Sequence, residues 1–93
     1  MAWAIDYTQT AKRQLKKLDK PVARRILNFL DDRVAKQDDP RTLGKALSGP
    51  LGTLWRYRIG DYRAICEIQF GQMQGGGPRV LVLQIGHRSE VYR

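Results

Sequence analysis

Ninety-three residues carrying 17 Lys plus Arg, 9 Asp plus Glu and one His have a formal net charge of +8 at pH 7. A chain of this length is one domain, residues 1–93, and buries only roughly 60 to 65% of its unfolded surface. Its 42% hydrophobic content therefore supplies one compact core and leaves no room for a large cofactor.

The single Cys66 has no partner for an intramolecular disulfide. The longest uninterrupted apolar run, Met1 to Ile5, is far short of the ~20 residues that cross a membrane. A soluble, cytoplasmic protein with no membrane partner is expected. The basic surplus points to polyanions: nucleic acid, an anionic surface or an acidic protein.

In chain order, Trp3, Ile5 and Tyr7 alternate with Ala4 and Asp6, the period of a half-buried strand. Thr8 or Thr10 can cap a helix in which Tyr7, Ala11, Leu15 and Leu18 recur at helical spacing. Lys12, Arg13, Lys16, Lys17 and Lys20 fill its other face. Pro21 suits the first turn of a second helix, whose buried stripe is Val22, Ile26, Phe29, Leu30 and Val34. Asp38, Asp39 and Pro40 disfavour continuation past Gln37, so the two helices form an antiparallel hairpin. Residues 41–52 carry loop chemistry.

The period then changes to two. Trp55, Tyr57 and Ile59 alternate with Leu54, Arg56 and Arg58, and after Gly60 and Asp61 the alternation resumes from Tyr62 to Phe70, as in a tight hairpin. Gly71 to Pro78 is a glycine-rich linker. Arg79 to Ile85 is a last strand, apolar on both faces and hence central.

If Gly60 and Asp61 are the turn residues, Ile59 faces Tyr62, Arg58 faces Arg63, Tyr57 faces Ala64 and Arg56 faces Ile65. Arg56, Arg58 and Arg63 then share one face. Opposed guanidinium groups are mutually destabilising by roughly a few tenths to 1 kcal/mol, unless an anion such as a phosphate sits between them. Arginine's planar donor fork holds two phosphate oxygens at once; the plainer alternative is a solvated sheet face.

His87, between Gly86 and Arg88 where the last strand should end, is the one side chain with an ordinary pKa near neutrality. With Arg88 and Tyr92 close behind, it is a candidate acid or base. One His, one Cys and no grouped carboxylates give no metal site. Gly75, Gly76 and Gly77 precede a strand rather than a helix. Near-Walker spacing from Gly44 to Gly49 ends in Pro50 and Leu51 where Lys and Ser or Thr are required, so nucleotide hydrolysis has no support.

The stretch from Leu47 to Ile65, LSGPLGTLWRYRIGDYRAI, and the ending GHRSEVY from Gly86 to Tyr92 resemble the RelE/ParE superfamily of toxins from bacterial and archaeal toxin–antitoxin pairs. The resemblance implies an α+β fold. An N-terminal strand and an antiparallel helical hairpin precede a three-stranded antiparallel meander, giving one curved four-stranded sheet. One departure from that pattern is expected: with its last residue at Arg93, the chain is expected to lack the C-terminal helix that many relatives carry.

In the RelE branch such proteins are ribosome-dependent, metal-independent endoribonucleases that cut mRNA in the ribosomal A site by 2′-OH attack. ParE-branch members poison DNA gyrase and generally lack the catalytic set. The resemblance implies no cofactor, and as partners the ribosome with its mRNA and a cognate acidic, RelB-like antitoxin, with operator DNA reached only through the antitoxin complex.

By position, Arg56 and Arg58 stand where RelE-like toxins keep basic residues of the active face. Arg63 matches their phosphate-contacting arginine, and Arg88 the basic residue after the last strand. Tyr92 matches a C-terminal tyrosine that stacks on or orients the target nucleotide, and His87 has counterparts acting as general acid. This set favours the ribonuclease branch; the alternatives are a gyrase inhibitor and a non-catalytic basic nucleic-acid-binding protein. Arginines replace the lysine that serves as base in the best-known member, and a group with a pKa above roughly 12 is a poor proton acceptor, so the base is left unassigned.

Overall fold

The structure, a computed structural model, describes residues 3–47, 54–71 and 77–91. The glycine-rich linker reading at 72–76, the motif residues at 48–53 and Tyr92 lie outside the described residues. Strand β1 (Ala4–Tyr7) leads into α1 (Gln9–Lys17) and, across Leu18 and Asp19, into α2 (Lys20–Asn28). Thr8 is the cap: its Oγ1 accepts from the Ala11 N–H at 3.1 Å and donates to the Leu83 carbonyl at 3.1 Å. One hydroxyl thus starts α1 and ties it to a strand near the other end of the chain.

Pro21 stands in the first turn of α2, as its missing N–H allows. The helical path then widens into a π-helical turn over Phe29–Val34, in which the Ala35 N–H reaches back to the Leu30 carbonyl. A short 3-10 turn, Pro40–Leu43, follows.

The sheet has five strands where four were expected. Lys45 and Ala46 form a short β2 against the start of β3 (Leu54–Ile59), and β4 (Tyr62–Gln69) and β5 (Arg79–His87) complete the order β1-β5-β4-β3-β2. Two residues with no alternation carry no strand signal of their own; backbone pairing to β3 makes the strand. A four-residue helical turn, α3 (Arg88–Val91), follows β5 directly. β5 lies between β1, its parallel partner, and β4, its antiparallel one, which accounts for apolar residues on both its faces.

The core lies between the helices and one face of the sheet, where Ile26, Leu30 and Val34 meet Tyr57, Ala64, Cys66, Val80, Val82 and Ile85. The buried positions of β5 are 80, 82 and 85 rather than a strict alternation. The ladder pairs Ile65 with Gln84 and Cys66 with Val82, leaving Leu83 as a bulge. That extra residue reverses which face the rest of β5 presents. The Leu83 carbonyl is the one that takes the Thr8 hydroxyl.

Candidate functional site

The hairpin register is the one the two-residue turn dictates: Ile59 opposite Tyr62, Arg58 opposite Arg63, Tyr57 opposite Ala64 and Arg56 opposite Ile65. Gly60 has φ +60° and Asp61 a negative φ, the φ pattern of a type II′ turn, which asks for glycine first. Strand parity puts Arg56, Arg58 and Arg63 on the face away from the helices, because Tyr57 and Ile59 between them point into the core.

The three arginines are not equivalent. Arg58 is exposed and Arg56 half-buried. Arg63 is 8% exposed, and its Nη1 donates to the carbonyls of Gly60 and Tyr62, both at 2.9 Å. It therefore clasps the turn from below while its Nε and Nη2 make no hydrogen bond among the described residues. On β5 its ladder partner is Gly86, so the position beside the guanidinium has no side chain, leaving a bare patch next to a donor fork.

Negative charge on this outer face sits elsewhere. Arg79 pairs with Asp6 at 3.0 Å and donates to Gln69, which in turn donates to Glu67, all toward the opposite end of the sheet. At the end near the turn the cations outnumber the carboxylates, Asp61 of the turn and Glu90 of α3.

His87 and Arg88 close the same end. The Arg88 N–H donates to the Asp61 carbonyl at 2.8 Å, fastening the start of α3 to the turn. The His87 ring meets Tyr62 edge to face, with centroids 5.6 Å apart. Its Nδ1 accepts from the Ser89 N–H and lies 2.9 Å from the Ser89 hydroxyl. In the neutral ring this leaves the hydrogen on Nε2. His87 pairs with Tyr62, so its parity belongs to the helix side of the sheet, opposite to the arginines. The bulge at Leu83 causes this placement, since an unbroken alternation would send His87 to the arginine face.

A second basic surface adjoins the first. Between α2, its π-helical extension and the hairpin tip lies a groove of about 890 Å³, to which Lys20, Arg24, Arg25, Arg33 and Arg58 all contribute. Arg25 lies over the turn so closely that a Cβ on Gly60 would stand 3.1 Å from its Nη1. Along the sequence, α2 is marked by its apolar stripe, and its cations were not grouped into a site. The available signal was Lys20 and Arg24 one helical turn apart with Arg25 beside them.

Two buried groups carry no reactive role. Burial pushes the Cys66 thiol up, away from the nucleophilic thiolate. The Tyr57 phenol, also raised by burial, donates to the Pro40 carbonyl at 2.7 Å. Among the described residues no three His, Cys, Asp or Glu side chains gather as metal ligands, and no helix is long and apolar enough to cross a membrane.

A family model described as the ParE toxin of type II toxin–antitoxin systems, parDE, matches residues 5–92. Toxin RelE of Mycobacterium tuberculosis is 34% identical over 89 residues, covering 96% of this chain and 84% of that protein. Toxin RelG of the same organism is 27% identical over 93 residues, 100% and 99% of the two chains. Among solved structures, the toxin–antitoxin complex RelBE2 from M. tuberculosis has a similar fold, with TM-score 0.77 at 24% identity over 97% of this chain and 95% of that one. The archaeal RelE–RelB complex from Pyrococcus horikoshii OT3 gives TM-score 0.63 at 23% identity, covering 98% and 100%.

Proposed function

The chain belongs to the ParE toxin family of type II toxin–antitoxin systems, within the RelE/ParE superfamily, and on that premise we propose that this toxin is a metal-independent endoribonuclease acting on ribosome-bound mRNA. The observation that carries the reading is the Arg58–Arg63 pair on one sheet face, beside the bare Gly86.

In the proposed reaction the ribose 2′-OH attacks the adjacent phosphorus in line. The 2′-O–P bond forms as the P–O5′ bond breaks, the 2′-OH proton passing to solvent water and another proton being delivered to O5′. The products are a 2′,3′-cyclic phosphate and a 5′-OH end. Arg58 and the unengaged nitrogens of Arg63 spread the charge that builds on the phosphorane oxygens, and Arg56 and Arg88 add positive potential.

As the imidazolium, His87 supplies the O5′ proton from Nε2, its Nδ1–H then donating to the Ser89 hydroxyl oxygen 2.9 Å away in place of accepting from the Ser89 N–H. Its parity requires the leaving oxygen to lie at the end of the sheet past Gly86, where the two faces meet, rather than over its middle. Tyr92 stacks on a base. No arginine is a base, so alignment of the 2′-OH falls to the ribosome, and free RNA is cut poorly. A RelB-like antitoxin is the partner: similar solved structures are toxin–antitoxin complexes, and an acidic segment complements a +8 surface. Operator DNA is reached through that complex.

Arg58→Ala is a cleaner test than Arg63→Ala, because Arg58 is exposed whereas Arg63 also clasps the turn. Loss of one preorganised donor should slow cleavage of ribosome-bound mRNA about 10²- to 10³-fold, read by primer extension with purified protein. Cleavage by Arg58→Ala and His87→Ala at the wild-type rate would overturn the reading. The ParE description of the matching family favours a second reading, inhibition of DNA gyrase. Double-strand DNA breaks on induction, without new 5′-OH mRNA ends, would establish it instead.

A further inference from the structure

The groove between α2 and the hairpin tip presents five cations, Lys20, Arg24, Arg25, Arg33 and Arg58, against one carboxylate, Asp32. The salt bridges among the described residues, Arg41 with Asp39 and Arg79 with Asp6, lie elsewhere. None of the five cations is within ion-pair distance of a described carboxylate. Holding so many unpaired cations around one concavity raises its positive potential and suits a polyanion.

The chemistry is more than a charged surface. The Arg33 guanidinium carbon sits 5.3 Å from the centroid of the Phe29 ring, and Phe29 packs edge to face on Tyr57. A guanidinium placed over an aromatic ring offers a cationic and aromatic surface on which a nucleobase can stack. Basic side chains tracking a backbone together with a stacking surface are the features of single-strand binding sites.

Continuity decides between possible polyanions. Arg58 lines the groove and is also the ladder partner of Arg63. The edge of β3 is covered by β2 only at Trp55 and Arg56, so among the described residues no strand separates the two surfaces at Arg58. An anion seated on the outer face at Arg58 therefore continues directly into the groove.

We propose that this groove binds the backbone of single-stranded RNA flanking the phosphate held at Arg58 and Arg63, with Arg24, Arg25 and Arg33 contacting phosphates and the Arg33–Phe29 stack receiving a base. The inference rests on the ribonuclease reading for the identity of the strand, but its test does not depend on cleavage.

The full chain is titrated against a short, fluorescently labelled all-2′-O-methyl RNA, which has no 2′-OH to attack, and anisotropy is followed across a salt series. In the Arg24→Gln/Arg25→Gln/Arg33→Gln variant, binding should weaken at least about tenfold and the slope of log Kd against log salt should fall by about 2, at roughly 0.7 per lost single-strand phosphate contact. A control removing as much charge from α1, Lys12→Gln/Lys16→Gln/Lys17→Gln, should change the affinity less than about twofold. Circular dichroism melts check that both variants fold, and Arg24→Gln/Arg33→Gln, which spares the Arg25 contact with Gly60, should give an intermediate loss.

Equal weakening by both triple variants would reduce the groove to diffuse charge and overturn the proposal. So would unchanged RNA binding in the groove variant, or loss of binding only to a glutamate-rich amphipathic peptide, which would make the groove a protein-docking site. Groove-dependent binding by a wild-type chain that never cleaves mRNA would leave this inference standing and remove the ribonuclease reading; cleavage with groove-independent binding would do the reverse.

Discussion

Gly60→Ala perturbs the turn on which both basic surfaces converge. At φ +60° an L-residue pays about 1 to 2 kcal/mol for crowding between Cβ and the backbone. The new methyl would also stand 3.1 to 3.3 Å from the guanidinium atoms of Arg25, but that group is the far end of an exposed, flexible side chain and swings away at little cost. Backbone strain thus dominates, and a total loss of about 1 to 2 kcal/mol corresponds to a melting point lower by roughly 4 to 16 °C for a domain of this size. Urea unfolding followed by Trp fluorescence measures it, with Gly60→Asn, a residue better tolerated at positive φ, expected to recover part of the loss. An alanine variant as stable as wild type would refute the assigned turn geometry, and with it the fixed positions of Arg25 and Arg63.

Two further outcomes follow from buried groups. Tyr57→Phe leaves the Pro40 carbonyl without its 2.7 Å donor inside a fully buried contact and should cost about 1 to 3 kcal/mol, measured as a lower urea midpoint; an unchanged midpoint would show that the hydroxyl contributes nothing. Burial raises the Cys66 thiol and the Tyr7 and Tyr57 phenols, Tyr7 further through the Asp31 carboxylate. In the alkaline range the folded chain therefore holds protons that the unfolded chain releases. The associated stability is fully present below the ordinary thiol value of about 8.5 and declines as pH rises through that value and then past the phenol value near 10. Urea midpoints at rising pH should show this decline, and Cys66→Val should remove its earlier part; a flat profile contradicts the assigned burial.

Local chemistry made several features legible. Thr8 caps α1 and Pro21 opens α2 because each satisfies an end of its own helix. Gly-Asp between two alternating runs defines a two-residue hairpin and, through it, the opposition of Arg58 and Arg63. The motif residues at the hairpin and after β5 were enough to suggest the toxin superfamily to which the family match assigns the chain.

Other features depend on contacts between residues distant in sequence. Lys45 and Ala46 become a strand only because Trp55 and Arg56 stand opposite them. Arg63 reads along the chain as one more free cation of a row, yet its Nη1 is occupied by turn carbonyls. The arginines of α2 meet Arg58 only after α2 is laid beside the hairpin tip.

Periodicity and turn chemistry act over a few residues, so the amino-acid order alone determined the helices, the central hairpin with its register, and the arginine row. The face on which His87 stands was decided by Leu83, whose bulge arises where β5 meets both β4 and the Thr8 hydroxyl. A single unpaired residue reverses every side chain beyond it. Nothing in the local sequence marks that residue, because the partners that set it aside belong to other elements of the fold.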